Sequence, residues 1–330
     1  MYLEKANPTK YCLTKHFCPR VTGSIQSMAV LNDKIIALDS DRVIRIFTDF
    51  KGTHLAFPLG GRAVVYTEIV AVPSTDYIVL WNESDKKSVA IMDIRCFGFE
   101  ELTGFSGICS VVSEEKALTI VDIKGVHIYY ICEGYSKLNV IKVGYIQLTK
   151  INADLDASRY RHYIAKQSYY TLYLLKFVRK TQNDDFHYTM KLYYISKFFK
   201  GYYRKASVSL KQPVIDMVPL GPRCLIAILT ADNTLQILDV ESESLIIEPN
   251  RYSSMRPYKI MNMGANGELL VIEPKRLSII DIINNWNVVF ENKNDGEAHN
   301  KLVNDVVCMA HEKIIFNEDA KICIIKRNNE

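Results

Sequence analysis

The sequence predicts an all-β fold, a seven-bladed, WD40-like β-propeller, and three observations carry that prediction. A pair of short apolar runs around a polar turn recurs seven times, the turns fall at a near-constant interval, and each interval has room for four strands. In the first unit Ile35-Ile36-Ala37-Leu38 and Val43-Ile44-Arg45-Ile46-Phe47 flank a polar turn at 39–42. The figure returns as 77–81 with 89–92, 117–121 with 126–130, and 163–165 with 172–175. It returns again as 225–229 with 235–238, 269–272 with 277–280, and 314–316 with 322–325. The turn centres are separated by about 44, 39, 44, 64, 42 and 44 residues, close to the period of a four-stranded blade. At that period all 330 residues belong to one domain.

Taken in order, the inner strands of the blades fall at 24–31, 67–72, 107–112, 145–151, 213–218, 258–263 and 306–310, with the first outer strand at 53–58. The last unit runs short. Segment 10–18 has no blade of its own and is expected to pair as the fourth strand of the last blade, because an open ring would leave two unpaired edges.

A hydrophobic content of 48% supplies a large core, and a net charge of +4 is too small to imply nucleic acid by itself. The start Met1-Tyr2-Leu3-Glu4-Lys5 lacks the pattern of a secretory signal, and no run approaches the roughly 20 apolar residues that span a bilayer. The expectation is a cytoplasmic chain, peripheral on membranes at most. Of the eight cysteines, Cys109, Cys132, Cys224, Cys308 and Cys323 lie in or beside apolar runs, as reduced thiols in a core do.

Few motifs carry chemistry. Cys12, His16 and Cys18 share one face of a strand by simple alternation, but structural zinc takes four ligands in paired spacings and no second pair is near. No metal and no cofactor are expected. Gly104-Phe105-Ser106-Gly107 falls short of a nucleophile elbow, and the seven histidines have no acidic partner in reach by spacing, so the chain reads as non-enzymatic. Asp39, Asp41, Asp122, Asp232 and Glu318 recur at hairpin turns, where short acidic side chains bond their own backbone. Two sorting-type patterns, Leu269-Leu270-Val271-Ile272-Glu273 and Glu241-Ser242-Glu243-Ser244-Leu245-Ile246, fall in predicted strands whose apolar residues point inward.

The long interval is the candidate partner-binding segment. Over 172–205, Lys176, Arg179, Lys180, Lys191, Lys197, Lys200 and Arg204 interleave with aromatics that include Tyr193 and Tyr194. It reads as two elongated outer strands joined by a turn at 183–185. Such a surface suits an acidic protein or an anionic lipid, or a nucleic acid tracked by cations and stacked on rings. The same pattern also describes an amphipathic hairpin with its aromatics packed inward.

Across the first four units, Val43-Ile44-Arg45-Ile46-Phe47 precedes Ala56-Phe57-Pro58-Leu59-Gly60-Gly61-Arg62 and then Asp76-Tyr77-Ile78-Val79 with a charged turn at 83–87. Ile108-Cys109-Ser110-Val111, Val143-Gly144-Tyr145 and segment 172–177 follow. This order resembles the N-terminal propeller of the type-three Hermansky–Pudlak syndrome protein family, a subunit of the second biogenesis of lysosome-related organelles complex. The resemblance implies a non-enzymatic subunit acting in cargo delivery from endosomes to lysosome-related organelles, with sister subunits and Rab-family GTPases as partners. That family continues into a long helical region whose contacts do not carry over, and no individual site residue transfers. A nucleic-acid- or chromatin-associated propeller using the basic-aromatic segment is the alternative. If the cysteines are single thiols, mass spectrometry under denaturing, non-reducing conditions finds all eight free, whereas two or more native disulfides overturn the cytoplasmic expectation.

Overall fold

The computed structural model describes residues 11–17, 23–48, 54–60, 64–82, 87–114, 116–132, 138–147, 160–168, 171–182, 185–196, 201–220, 225–247, 257–263, 267–273, 276–282, 286–293, 303–309, 313–318 and 321–327. All regular structure among them is β, in two compact units: residues 26–49 with 53–211, and residues 1–25, 50–52 and 212–330.

In the first unit four antiparallel sheets follow one another in chain order. They comprise β2 (Ile25–Leu31), β3 (Lys34–Asp39), β4 (Val43–Phe47) and β5 (His54–Pro58), then β6 (Glu68–Val72), β7 (Tyr77–Trp81), β8 (Val89–Asp93) and β9 (Phe99–Leu102). The third holds β10 (Ile108–Glu114), β11 (Ala117–Asp122), β12 (Gly125–Cys132) and β13 (Asn139–Gln147), and the fourth β14 (Tyr160–Ser168), β15 (Thr171–Gln182), β16 (Asp185–Ser196) and β17 (Gly201–Leu210). The second unit has β18 (Val214–Leu220), β19 (Leu225–Thr230), β20 (Leu235–Asp239) and β21 (Ser244–Ile247), then β22 (Lys259–Asn262), β23 (Glu268–Glu273), β24 (Arg276–Asp281) and β25 (Asn287–Lys293). Its third sheet joins β1 (Tyr11–Phe17) to β28 (Lys321–Arg327), with β27 (Lys313–Glu318) and β26 (Val303–Met309) beyond. The pairing expected of the N-terminal segment is therefore present, with Tyr11 opposite Arg327 and Phe17 opposite Ile322.

Middle strands are covered on both faces, which is why they read as continuous apolar runs rather than alternating ones. Every residue of β8 is buried. Ile46 and Leu38 pack with Ile78, Leu80 and Met92 between the first two sheets, while Val79 and Ile91 pack with Leu118, Ile120 and Ile131 between the next two. In the second unit Leu229 and Ile237 meet Leu269 and Ile280, and Leu270 and Ile279 meet Phe316, Cys323 and Ile325. Where the backbone turns, the residue type fits: Asn32 and Asp33, both at positive φ (48° and 61°), form the two-residue connection from β2 to β3.

Consecutive sheets are tied through their first strands by hydrogen bonds one repeat apart. The Ile69 N–H donates to Ser27 Oγ at 3.1 Å, and the Ile260 N–H donates to Asp216 Oδ2 at 3.0 Å. Ser27 and Asp216 are each the third residue of a first strand, and Ile69 and Ile260 are each the second residue of the next. Ser113 Oγ donates likewise to the Ala71 carbonyl, and Asn32 Nδ2 to the Thr75 carbonyl at 2.7 Å.

Several expectations are corrected. Residues 145–147 end β13, the outer strand of the third sheet, and the first strand of the fourth is β14. Segments 163–165 and 172–175 belong to the β14–β15 hairpin, so the long strands of the basic segment are the two middle strands of the sheet, not outer ones. The strand length hid this, because twelve-residue strands spread one hairpin over most of a repeat. A bulge between Leu13 and Lys15 breaks the alternation of β1: Cys12 stands opposite Lys326 and His16 opposite Cys323, three residues apart in β28, so the two positions fall on opposite faces. Cys18 and Cys224 lie outside the described residues. Cys109 and Cys132 are half-buried and Cys323 is buried, whereas Cys96 is exposed; none of the four forms a disulfide. Leu269 to Ile272 are buried as expected, whereas Ile246 is exposed, because β21 is the outer edge of its sheet.

The sheet-to-sheet clasp sets a test. Ser27 is buried, and Ser27→Ala or Asp216→Ala leaves a backbone N–H without its acceptor, at a cost of about 1–3 kcal/mol each in chemical denaturation. Substitution of exposed Ser209 by Ala shifts the same midpoint by less than about 0.5 kcal/mol.

Candidate functional site

The basic segment is built by β14 to β17, strands of 9, 12, 12 and 10 residues. Its register sorts the candidate residues. Lys176 stands opposite Lys191, Leu174 opposite Tyr193, and Lys180 opposite His187, while Tyr193 faces Arg204 across a bulge in β17. By the two-residue pleat, Lys176, Lys180, Lys191, Tyr193 and Arg204 occupy one face, the face of Ser209, which is exposed. Arg179 and Tyr194 fall on the other face with Val208 and Leu210, which are buried. Lys197 and Lys200 lie outside the described residues. Five of the nine positions are therefore brought onto one face, and the aromatic row Tyr173–Tyr194–Tyr203 is placed on the opposite one.

A second constellation stands on the third sheet, and spacing alone did not find it. Asp122 ends β11 and His127 lies in β12, and the hairpin between them brings His127 Nε2 to 3.2 Å from Asp122 Oδ2. The expectation that no histidine has an acidic partner is thus corrected; the signal was an Asp and a His either side of a two-residue turn. Asp122 is a turn residue of the expected kind, accepting from the backbone N–H of Lys124 at 2.9 Å, Gly125 at 2.7 Å and Ser106 at 2.9 Å. Burial raises its pKa, and these three donors together with His127 outweigh that and hold the carboxyl below its ordinary range. Asp39 is the corresponding turn residue of the first sheet, accepting from the Val43 N–H and from Arg45 Nε, both at 2.8 Å.

His127 is flanked by two rings and one cation. Phe105 meets its edge at 5.2 Å, and Tyr145 leans on it at 4.9 Å between centroids. Gly125 lets the Tyr145 ring lie against the backbone, where an added Cβ would collide with it, and Tyr145 Oη donates to the Lys124 carbonyl at 3.2 Å. Lys142 Nζ lies 3.1 Å from His127 Nδ1 and 5.1 Å from the Tyr145 ring centroid. The ammonium has protons to give, so Nδ1 accepts and the ring proton is left on Nε2, which is buried and meets Asp122 by charge rather than by an aligned hydrogen bond. Both ring nitrogens face protein groups, so the imidazole is a positioning group for Lys142 rather than an open base. Burial first, and the Lys142 charge second, lower the His127 pKa against the pull of Asp122.

Other charged groups have structural partners. Arg95 grips Asp93 at 2.7 and 3.0 Å, and Arg276 bridges Glu291 at 2.5 Å and buried Glu273 at 3.3 Å. Among the described residues no cluster of His, Cys, Asp and Glu has the arrangement of a metal site.

The lowered His127 pKa gives a signed pH dependence. Below the ordinary value of 6.5 the unfolded chain takes up a proton that the folded imidazole resists, so stability falls as pH drops through that value toward the folded one. The loss tied to Asp122 begins only as pH falls below its ordinary value of 3.8. In thermal unfolding between pH 7.5 and 5, replacing His127 by Gln should flatten the slope; an unchanged slope refutes the assignment.

No family model matches the chain, and no curated protein does. Solved structures match in fold. A streptogramin B lyase structure aligns over 97% of this chain and 98% of its own, with a TM-score of 0.65 at 12% identity. KlHsv2 with its loop 6CD replaced by a Gly-Ser linker aligns over 93% and 98%, with a TM-score of 0.57 at 10% identity. The Hsv2 of Kluyveromyces marxianus aligns over 93% and 98%, with a TM-score of 0.56 at 9% identity. At such identities the likeness is one of fold, and it makes this chain an all-β propeller.

Proposed function

We propose that the chain is a non-enzymatic interaction scaffold, a single closed seven-bladed propeller in which each four-stranded sheet is a blade and β1 seals the last one. It serves as a subunit of a complex in endosomal traffic to lysosome-related organelles, cytoplasmic and peripheral on those membranes, with sister subunits and Rab-family GTPases as partners. The placement in traffic rests on the resemblance of the first four units, and the scaffold role on the fourth sheet. There the observation that carries the reading is Lys176 directly opposite Lys191 on a face that also holds Lys180 and Arg204. Like charges opposed across strands destabilise a sheet, so a basic row of this kind is best matched by an acidic protein surface that neutralises it. Tyr193 and Tyr202 share that face, so rings and cations also match the nucleic-acid alternative, which salt dependence separates from a protein partner.

The test is affinity purification of the full chain from cells, with partners identified by mass spectrometry, beside Lys176→Glu/Lys191→Glu. Recovery of trafficking-complex subunits, reduced at least about tenfold by the double substitution with the unfolding midpoint held within a few degrees, supports the reading. Equal recovery from both proteins refutes the fourth-sheet face. Recovery of RNA or DNA that falls steeply with salt replaces the proposal with the nucleic-acid alternative.

A further inference from the structure

Outer strands of sheets present unpaired backbone groups, and three outer strands here are blunted. β5 ends in Pro58, β9 is four residues long and carries Glu100 and Glu101, and β21 is four residues long. β13 differs. It runs for nine residues at the edge of the third sheet and exposes Ile141, Val143 and Tyr145 by 44–47%. Tyr130, opposite Ile141 on β12, is 44% exposed as well.

The two faces of this edge have different chemistry. The bulge at Val143 puts Ile141 with Tyr130 on one face and Lys142 with Tyr145 and His127 on the other. Lys142 is held there by His127 Nδ1 and by the rings of Tyr129 and Tyr145, and among the described residues it has no carboxylate partner. Exposed Lys124 lies at the same end, beside Tyr145 Oη, and Asp122 is buried beyond His127. The edge therefore offers an oriented, uncompensated ammonium on one face and an apolar pair on the other. A strand that satisfies both alternates acidic and apolar side chains.

We propose that β13 is a docking edge for an extended acidic peptide segment of a partner protein. The segment adds as a fifth strand, placing a carboxylate on Lys142 and an apolar side chain over Ile141 and Tyr130. Main-chain pairing supplies the affinity and the two faces supply the selectivity. This surface is separate from the fourth-sheet face and stands or falls independently of it.

The probe is acetyl-Glu-Val-Glu-Ile-Glu-Val-Glu-amide, with acetyl-Lys-Val-Lys-Ile-Lys-Val-Lys-amide as its charge-reversed counterpart, titrated into the full chain at low salt and followed by amide hydrogen exchange. The glutamate peptide should protect the amides of β13 saturably below about 1 mM, and the lysine peptide should not. Lys142→Glu should weaken the glutamate peptide at least about tenfold and admit the lysine peptide, and Ile141→Ser should weaken the glutamate peptide without changing that preference. Unfolding midpoints verify that each variant is folded, with Lys142→Gln in place of Lys142→Glu if the reversal unfolds the sheet. Absence of protection at β13, equal binding of the two peptides, or binding indifferent to Lys142 overturns the proposal. So does loss of binding in Lys176→Glu/Lys191→Glu, which moves the acidic segment to the fourth sheet.

Discussion

A buried backbone N–H needs an acceptor, and in this chain the acceptor repeatedly lies one repeat away. Ser27 receives the N–H of Ile69, and Asp216 that of Ile260, at separations of 42 and 44 residues. These bonds hold the first strands of neighbouring sheets at a set offset, and the apolar faces of β3, β4, β7 and β8 then pack into one core. A repeat that gains residues must therefore gain them where they do not disturb this offset. The fourth sheet does so by lengthening its strands and leaving β14 beside β10.

Much of the architecture was legible because two strong local signals agree. Apolar runs of a few residues marked the middle strands, and polar turns with acidic residues marked their junctions; Asp39, Asp122 and Asp232 accept from nearby backbone N–H groups where the sequence placed turns. What escaped detection was whatever depends on register. The fourth sheet was misread because Ala165 and Leu172 look like a middle hairpin, although the register places them on the first and second strands. Cys12 and His16 were grouped on one face because a bulge cannot be seen in an alternating pattern. The Ser27 and Asp216 acceptors carried no local signal, since a polar residue early in a strand reads as an ordinary edge position.

The candidate sites divide along the same line. That 172–205 is basic and aromatic is composition, and it was visible. That Lys176 meets Lys191 while Tyr194 meets Tyr203 on the other side is register, and it gathers most of the candidate cations on one face and the Tyr173–Tyr194–Tyr203 row on the other. His127 is a similar case. Its partner is five residues away in sequence, a distance that means nothing along one strand and brings two side chains together across a tight hairpin.

The third and fourth sheets also show two ways of leaving a cation on a β surface. In the fourth sheet the lysines oppose each other and the cost is electrostatic, so the arrangement is favoured by a partner that brings negative charge. In the third sheet Lys142 is restrained by a neutral imidazole and by the Tyr145 ring, which fix its direction without cancelling its charge. The restraint depends on the proton inventory of His127: with Nδ1 unprotonated the ammonium is held, and with Nδ1 protonated two cations would stand 3.1 Å apart. Burial, which lowers the His127 pKa, thus keeps Lys142 in place over the pH range in which an exposed histidine would already have let it go.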